Sequence, residues 1–283
     1  MDTYAICGGG ADKSRLDVIA ATLRPSTVAL LHAAGVGPGD QCLDVGCGGG
    51  HVAIELARLV GPTGSVVGVD LDEAILQLAR RDAEAAGLQG IDFRAGDAGD
   101  IEPGAYDVAY TRLLLSHLPD PQAVIGQMAR GLRPGGVLII EDIDHQGMFW
   151  YPDSDAYERN HTLYDQLVRG RGGDPNIGAK LPGLLRRAGL EGVSVQIIQL
   201  AFMEGPAKMA SCATLANTKH AAVEEGLISE DDVDRLLMEM AAFAQDPATL
   251  IAWPRVVQAW GRKAGGTPPH EHRAVRALEE VFG

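Results

Sequence analysis

The segment Gln41-Cys-Leu-Asp-Val-Gly-Cys-Gly-Gly-Gly50 constrains the fold more than any other stretch, because it sets a carboxylate and three alternate glycines where a strand turns into a helix. Cys42 to Val45 read as the end of a buried strand. His51 to Leu59, apolar at Val52, Ile54, Leu56, Ala57 and Leu59, reads as the amphipathic helix that follows. Glycines admit positive φ and let a ligand approach the main chain, and the N–H groups at the helix start face that ligand. The spacing departs from the dinucleotide fingerprint G-x-G-x-x-G, since Gly46-x-Gly48-x-x leads to His51 where a third glycine is wanted. The pattern that fits is acidic-x-Gly-x-Gly-x-Gly over Asp44, Gly46, Gly48 and Gly50. A carboxylate beside the loop repels a pyrophosphate and suits a ligand carrying an ammonium or sulfonium cation.

The strand-then-acid pattern repeats. Gly64-Ser-Val-Val-Gly-Val-Asp70 is a β-branched run ending in an acid and followed by the helical pattern Ala74, Ile75, Leu78, Ala79, Ala83. Asp70 therefore falls at the carboxyl edge of a strand, where open α/β sheets bind ligands, and its two oxygens can accept both hydroxyls of a ribose. A helix cap formed by Asp70 or Asp72 is the alternative. Ile91-Asp-Phe-Arg-Ala-Gly-Asp97 is a third strand ending in an acid. A fourth, Tyr106 to Tyr110, leads into Thr111-Arg-Leu-Leu-Leu-Ser-His-Leu-Pro-Asp-Pro121, and a fifth, Gly136 to Asp142, follows the turn Leu132-Arg-Pro-Gly-Gly136.

These five motifs, in this order between residues 41 and 142, resemble the class I S-adenosylmethionine-dependent methyltransferases, and among them the ubiquinone/menaquinone methyltransferase-like group. The resemblance implies a Rossmann-like, seven-stranded, mostly parallel, doubly wound sheet whose last strand is antiparallel. It implies S-adenosyl-L-methionine as cofactor and S-adenosyl-L-homocysteine as product. Carried over residue by residue, it puts the cofactor against Tyr4, Asp44, Gly46, Gly48, Asp70, Leu71, Asp97, Ala98 and Arg112, with Asp70 on the ribose and Asp97 facing the exocyclic amino group of adenine. Tyr4 and the glycine run Gly8 to Gly10 are expected to close over the methionine end, a frayed tail being the alternative.

Alternating βαβα order from 41 to 142 implies right-handed crossovers and helices on both faces. Residues 1–40 are expected to form a helical arm over the cofactor, with one helix near Lys13 to Leu23 and a second from Pro25 to Ala34 that Gly35 ends. The methyltransferase domain is expected over 41–263, with helical lid insertions at 145–178 and 205–248, and a tail over 264–283. The first insertion holds Phe149-Trp-Tyr151, a helix near Asp155 to Val168 and the turn Gly170-Arg-Gly-Gly173. Leu181 to Ala188 and Gly192 to Leu200 read as the next helix and the sixth strand, and Ser229-Glu-Asp-Asp232 as a helix start in the second insertion. Ile251 to Gly261 reads as the final strand, inserted antiparallel between strands five and six, with Pro254 marking an edge or bulge near its beginning.

The 283 residues carry a net charge of −14, and the pI is near 4.9. Such a surface repels nucleic-acid backbones and anionic membranes, so a small-molecule substrate is expected. Cys7, Cys42, Cys47 and Cys212 lack metal-site pairing and disulfide density. Met1-Asp-Thr-Tyr lacks the basic start and apolar run of a signal peptide, and no stretch approaches the ~18 apolar residues of a membrane span. A cytoplasmic protein is expected; a homodimer is allowed but not demanded.

Methyl transfer from a sulfonium is an in-line displacement that mainly requires the nucleophile to be held near the methyl group, and histidine is the usual base where one is needed. His117, in the segment after strand four, is one candidate, a structural hydrogen-bonding role being the alternative. His161 is the other, on a helical stripe with Tyr157, Tyr164 and Val168 that either lines a pocket or docks the lid. Glu141, Asp142, Asp144 and His145 cluster after strand five, but two neighbouring ligands without a third do not make a metal site, and none is expected. Met209, Cys212, Ala213 and Ala216 read as an apolar stripe, core or substrate wall. The expectation is methyl transfer to an O, N or C nucleophile of a small molecule. Non-methylating chemistry with bound S-adenosylmethionine, a rearrangement or decarboxylation, is the alternative, because fold does not fix function.

Overall fold

A computed structural model describes residues 10–97 and 101–266, with side chains from Lys13 onward. Tyr4, Ala98 and nearly all of the expected tail lie outside the described residues. In chain order the elements are α1 (Gly10–Ala33), β1 (Gln41–Val45), α2 (His51–Val60), β2 (Ser65–Asp70), α3 (Glu73–Ala85), β3 (Ile91–Ala95), β4 (Tyr106–Arg112), α4 (Pro121–Gly131) and β5 (Leu132–Asp144). There follow β6 (Phe149–Tyr151), α5 (Asp155–Gly170), α6 (Leu181–Arg187), β7 (Leu190–Ile198), β8 (Ala201–Phe202), α7 (Ala210–Glu224), α8 (Glu230–Gln245), β9 (Leu250–Ala252) and β10 (Arg255–Lys263).

Seven strands form one sheet in the order β3-β2-β1-β4-β5-β10-β7. β1 to β5 pair in parallel, and β10 is antiparallel to both of its neighbours. The strands are buried on both faces because helices cover both, which is why β1 and β4 are buried along nearly their whole length, polar residues included. One core layer packs α2 and α3 residues such as Leu56 and Leu76 on Val66, Tyr110 and Ile139. The other packs α4 and α6, through Ile125, Met128 and Leu185, on Leu43, Ala109 and Ile140. Among the described residues no helix is long and apolar enough to cross a membrane.

A chain of polar side chains crosses four adjacent strands and fixes the register of the antiparallel insert. Tyr110 of β4 donates its hydroxyl to Glu141 of β5. Gln258 of β10 donates its Nε2 to the other Glu141 oxygen at 2.6 Å, and Gln196 of β7 donates to Gln258 Oε1 at 2.6 Å. Glu141 and Gln258 are fully buried, so a one-residue slip of β10 would strand a carboxyl group in the core at a cost of several kcal/mol.

Three elements differ from the sequence reading. The N-terminal arm is one helix running through Pro25, not two. Proline removes one i→i−4 bond there, but Thr22 and Ser26 donate hydroxyls to the carbonyls of Val18 and Leu23 in that turn. Burial of Leu23, Leu30 and Leu31 also holds both halves in line. β5 begins at Leu132, so the Leu132-Arg-Pro-Gly-Gly136 turn enters the strand with a register shift against Tyr106 to Val108. The final strand splits at Trp253-Pro254. β9 pairs with β6 and β8 in a small antiparallel sheet that packs, through Trp150 and Ile251, with α5, α7 and α8, and only β10 joins the main sheet.

Replacing Gln258 with Leu keeps the volume but removes the donor from Glu141. Urea denaturation is expected to show a loss of about 1–3 kcal/mol; an unchanged midpoint would mean that the polar chain does not hold β10.

Candidate active site

The β1–α2 loop hooks over the end of β2, Gly46 N and Cys47 N both donating to Val69 O, at 2.8 and 3.1 Å. Gly46, Gly48 and Gly50 have φ of 69°, 50° and 75°, a region that side chains rarely adopt. The three are not equivalent. A Cβ on Gly46 would meet Leu114 Cδ2 at 2.9 Å and one on Gly50 would meet Phe93 Cζ at 2.8 Å, whereas one on Gly48 would find only Leu16 Cδ1, at 3.8 Å. Gly46 and Gly50 thus let the loop pack, and Gly48 keeps a cradle open.

Asp44, at the tip of β1, is 2% exposed, and its Oδ2 has no hydrogen-bond partner among the described residues. Burial pushes its carboxyl up to about 7, with Arg112 pulling the other way and Asp70 adding to the rise. Asp70 stands beside it at the tip of β2. One of its oxygens accepts from Gly48 N at 2.8 Å and the other from Asp72 N at 3.0 Å. Capping of α3 falls to Asp72, which accepts from Ala74 N and Ile75 N at 2.8 and 3.3 Å. Asp70 is therefore set at the strand edge by the loop itself.

A cavity of about 1000 Å³ opens along these tips and runs on to α5 and α7. Its wall includes Asp44, Gly46, Gly48, Asp70, Leu71, Asp97 and Arg112, so every described residue expected at the cofactor comes together there. Leu71 is 78% exposed at the lip, the most exposed of the large apolar side chains described. Arg112 donates to Thr27 of α1 at 3.2 Å, tying the arm to the end of β4. α1 is fastened further by Asp17 to His51 at 2.7 Å, Lys13 to Asp82 at 2.8 Å and Arg24 to Glu55 at 2.9 Å.

The two candidate histidines separate. His117 lines the cavity and is 6% exposed; burial, with the charge of Arg15 adding, lowers its pKa to about 4, so it is neutral at pH 7. It rides on a segment that Asp142 staples down, accepting from Leu115 N at 2.8 Å and Ser116 N at 3.2 Å. His161 is not part of the cavity wall. Its Nε2 faces the carbonyl oxygen of His145 at 3.2 Å, and its ring stacks on that of His145 with centroids 4.2 Å apart. His145 is the residue that reaches the cavity; it is 4% exposed and lowered to about 3, by burial first and then by His161.

Sequence reading placed His145 only in an acidic cluster and missed Asn160, Ser211, Thr214 and Thr218, all cavity-lining. The cluster dissolves: Glu141 and Asp142 turn inward, and Asp144 pairs with Arg255 at 3.0 Å. The stripe read through Met209, Cys212, Ala213 and Ala216 is displaced, because Ala213 and Ala216 are exposed. The hydroxyl spacing 211, 214, 218 was the available signal for the inward face. Among the described residues no three His, Cys, Asp or Glu side chains are grouped to hold a metal ion.

The donor set suits S-adenosylmethionine: a buried carboxylate oxygen lacking a donor for an ammonium group, an acid at each of three strand tips, and a glycine cradle. The methyltransferase-domain family model matches residues 37–189. An uncharacterised 37.1 kDa protein in transposon TN4556 of Streptomyces fradiae is 33% identical over 237 residues, covering 81% of this chain and 66% of that protein. Nocamycin O-methyltransferase of Saccharothrix syringae is 38% identical over 115 residues, 40% of this chain and 41% of its own length. The chain thus covers less than two thirds of either relative. A crystal structure from Bacillus halodurans C-125, of a protein assigned as a methyltransferase, superposes with a TM-score of 0.58 at 22% identity, over 85% of this chain and all of that one, a likeness of fold. With the family match spanning more than half of its residues, this chain belongs to the class I S-adenosylmethionine-dependent methyltransferases.

Proposed function

We propose that this protein transfers the methyl group of S-adenosylmethionine to a small-molecule acceptor held beneath α5 and α7. The observation that carries the reading is Asp44 Oδ2, a buried carboxylate oxygen without a donor at the mouth of the glycine loop. When bound, the cofactor supplies a methyl group on a cationic sulfur, open to in-line displacement. Asp44 then counters the ammonium group, whose charge, with that of Arg112, favours the ionised carboxylate against burial. Asp70, oriented by two backbone N–H groups, offers its remaining lone pairs to the ribose hydroxyls. Asp97 takes the adenine amino group, and Leu71 packs on the base. The cavity is at the upper end of the ~300–1,000 Å³ usual for one ligand site, which supports a second occupant. His117 and His145 line the same cavity, and burial, which lowers both rings to about 4 and about 3, keeps them neutral and able to accept a hydrogen bond from that occupant.

Calorimetric titration with S-adenosylmethionine is expected to show one site per chain, competed by S-adenosylhomocysteine; no binding would remove the reading. Asp70→Ala is expected to weaken that binding by about 1–3 kcal/mol through lost charge-assisted hydrogen bonds. Unchanged affinity would take the ribose away from Asp70.

Asp44 makes the binding pH-dependent. In the free protein its carboxyl is raised to about 7, whereas a bound cation requires the carboxylate, so binding expels a proton. Affinity is expected to rise as pH goes from about 6 through about 7 and then level off, and Asp44→Asn to bind more weakly without that rise. Parallel profiles for the two proteins would show that Asp44 does not meet the ammonium group.

A further inference from the structure

The main sheet and the small sheet form one ribbon bent once. β7 and β10 run on into β8 and β9, Ile198 pairing with Val256 before the bend and Ala201 with Ala252 after it. Between them Trp253 N donates to Leu200 O at 2.8 Å. β6 takes beside β9 the place that β5 holds beside β10. Gln199 closes the corner, its Nε2 donating to the carbonyl oxygens of Gly147 at 2.5 Å and Trp253 at 3.2 Å. One face of the ribbon is covered throughout, since Val256, Trp253 and Phe202 share one apolar cluster and Trp150 and Ile251 another.

The other face is not. Side chains alternate along a strand, so Val195 and Ile197, level with Ala259 and Val257, stand on the α6 side of β7. Phe149, Tyr151 and Ala201, level with Ala252 and Leu250, continue that side past the bend. Phe149, Tyr151, Val195, Ile197 and Met203 are 49% to 69% exposed and make up five of the eight large apolar side chains exposed on the described surface, so this exposure is concentrated, not scattered. They border an open edge, for β7 is the terminal strand of the main sheet and β8 of the small one. Such edges are ordinarily protected by lysine, proline or an inward charge. From Gly192 to Met203 this one holds no charged residue and no proline.

The edge is complementary to itself. Paired antiparallel about Val195, Val193 meets Ile197 on the α6 side and Ser194 meets Gln196 on the other, while Glu191 falls opposite Gln199, so no two acids face each other. The same two-fold axis carries the end of β8, with Glu204, toward the end of α6 of the second copy, with Arg186 and Arg187, and all three side chains are exposed. Opposite charge at that contact counts in a chain of net charge −14, which elsewhere repels its own copy.

We infer that the occupant of this edge is a second copy of the chain, β7 pairing antiparallel with β7 about a two-fold axis at Val195 and joining two seven-stranded sheets into one. The inference does not depend on methyl transfer. An edge about 35 Å long and about 10 Å thick buries about 700 Å² over both copies, which with the flanking α6 contacts suits a dimer that dissociates in the micromolar range.

Sedimentation equilibrium of the full chain over a micromolar concentration series is expected to show a mass rising toward twice 29.8 kDa. Amide exchange at residues 193–197 should slow over the same series. Val195→Lys combined with Ile197→Lys sets like charges across the axis and should leave a monomer. Glu204→Arg should raise the dimer Kd at least about tenfold, and adding Arg186→Glu and Arg187→Glu should restore it, a recovery that misfolding would not give. A chain that stays monomeric leaves the edge to another occupant and overturns the self-pairing. So does a dimer that survives both lysines, or exchange at 193–197 that ignores concentration. Loss on Glu204→Arg without recovery in the charge-swapped protein, or no loss at all, overturns the register about Val195.

Discussion

A carboxylate taken out of water has to find donors, and this requirement governs every buried acid of the fold. Asp40 accepts from Gly37 N, Glu55 from Arg24, Asp107 from Gln41 N and Arg133, Asp142 from three backbone N–H groups, and Asp144 pairs with Arg255. Among the described residues Asp44 Oδ2 is the one buried carboxylate oxygen left without a donor. A structural role would have supplied one, as it has for each of the others. On the proposed reading, what Asp44 lacks is brought by a ligand that is cationic where it touches β1. The rise of its pKa toward neutrality is the same statement in terms of protons, since without the cation the group is half-way to giving up its charge.

The parallel strands make that edge a site, and the antiparallel strand makes it an asymmetric one. β1, β2 and β3 end together, with Asp44, Asp70 and Asp97 at or just beyond their tips. On the other side of β4, the polar chain through Tyr110, Glu141, Gln258 and Gln196 locks β10 beside β5. β5 then extends to Asp144, where Arg255 of β10 holds it, and delivers His145 beyond the tips of the shorter strands. Core hydrogen bonds far from any ligand thus decide where a cavity residue stands.

The cofactor half was legible in the sequence because its logic is local. A glycine whose φ is positive, an acid that ends a strand and a helix that starts six residues on are all read within one βα unit, and Asp44, Gly46, Gly48 and Asp70 came out where the pattern put them. Pro25 misled because a tertiary constraint, burial of Leu23, Leu30 and Leu31, outweighs a single missing helix bond. β6, β8 and β9 have two or three residues each, too short to show a period of two, and they exist only through pairing with one another across about 100 residues of chain. The stripe on α5 left pocket lining and docking both open, and the structure takes docking for two of its residues: Tyr157 is fully buried against Phe243 and His161 backs onto His145, while Tyr164 reaches the cavity.

This difference in legibility follows from how the two halves are made. The cofactor wall comes from consecutive βα units whose geometry each unit sets for itself. The acceptor wall is assembled from residues 143–148, 160–167, 210–221 and 253–256, segments whose positions depend on the docking of α5 and α7 around Tyr157, Leu215 and Leu236. Asn160, Ser211 and Thr214 face the cavity rather than the strands that carry Asp44 and Asp70. Asp70, by contrast, orients the loop that the cofactor needs. Physical coupling therefore fixes one half of the cavity and leaves the other open to change, which is the division expected of an enzyme that keeps one cofactor while its acceptor is set by the lid.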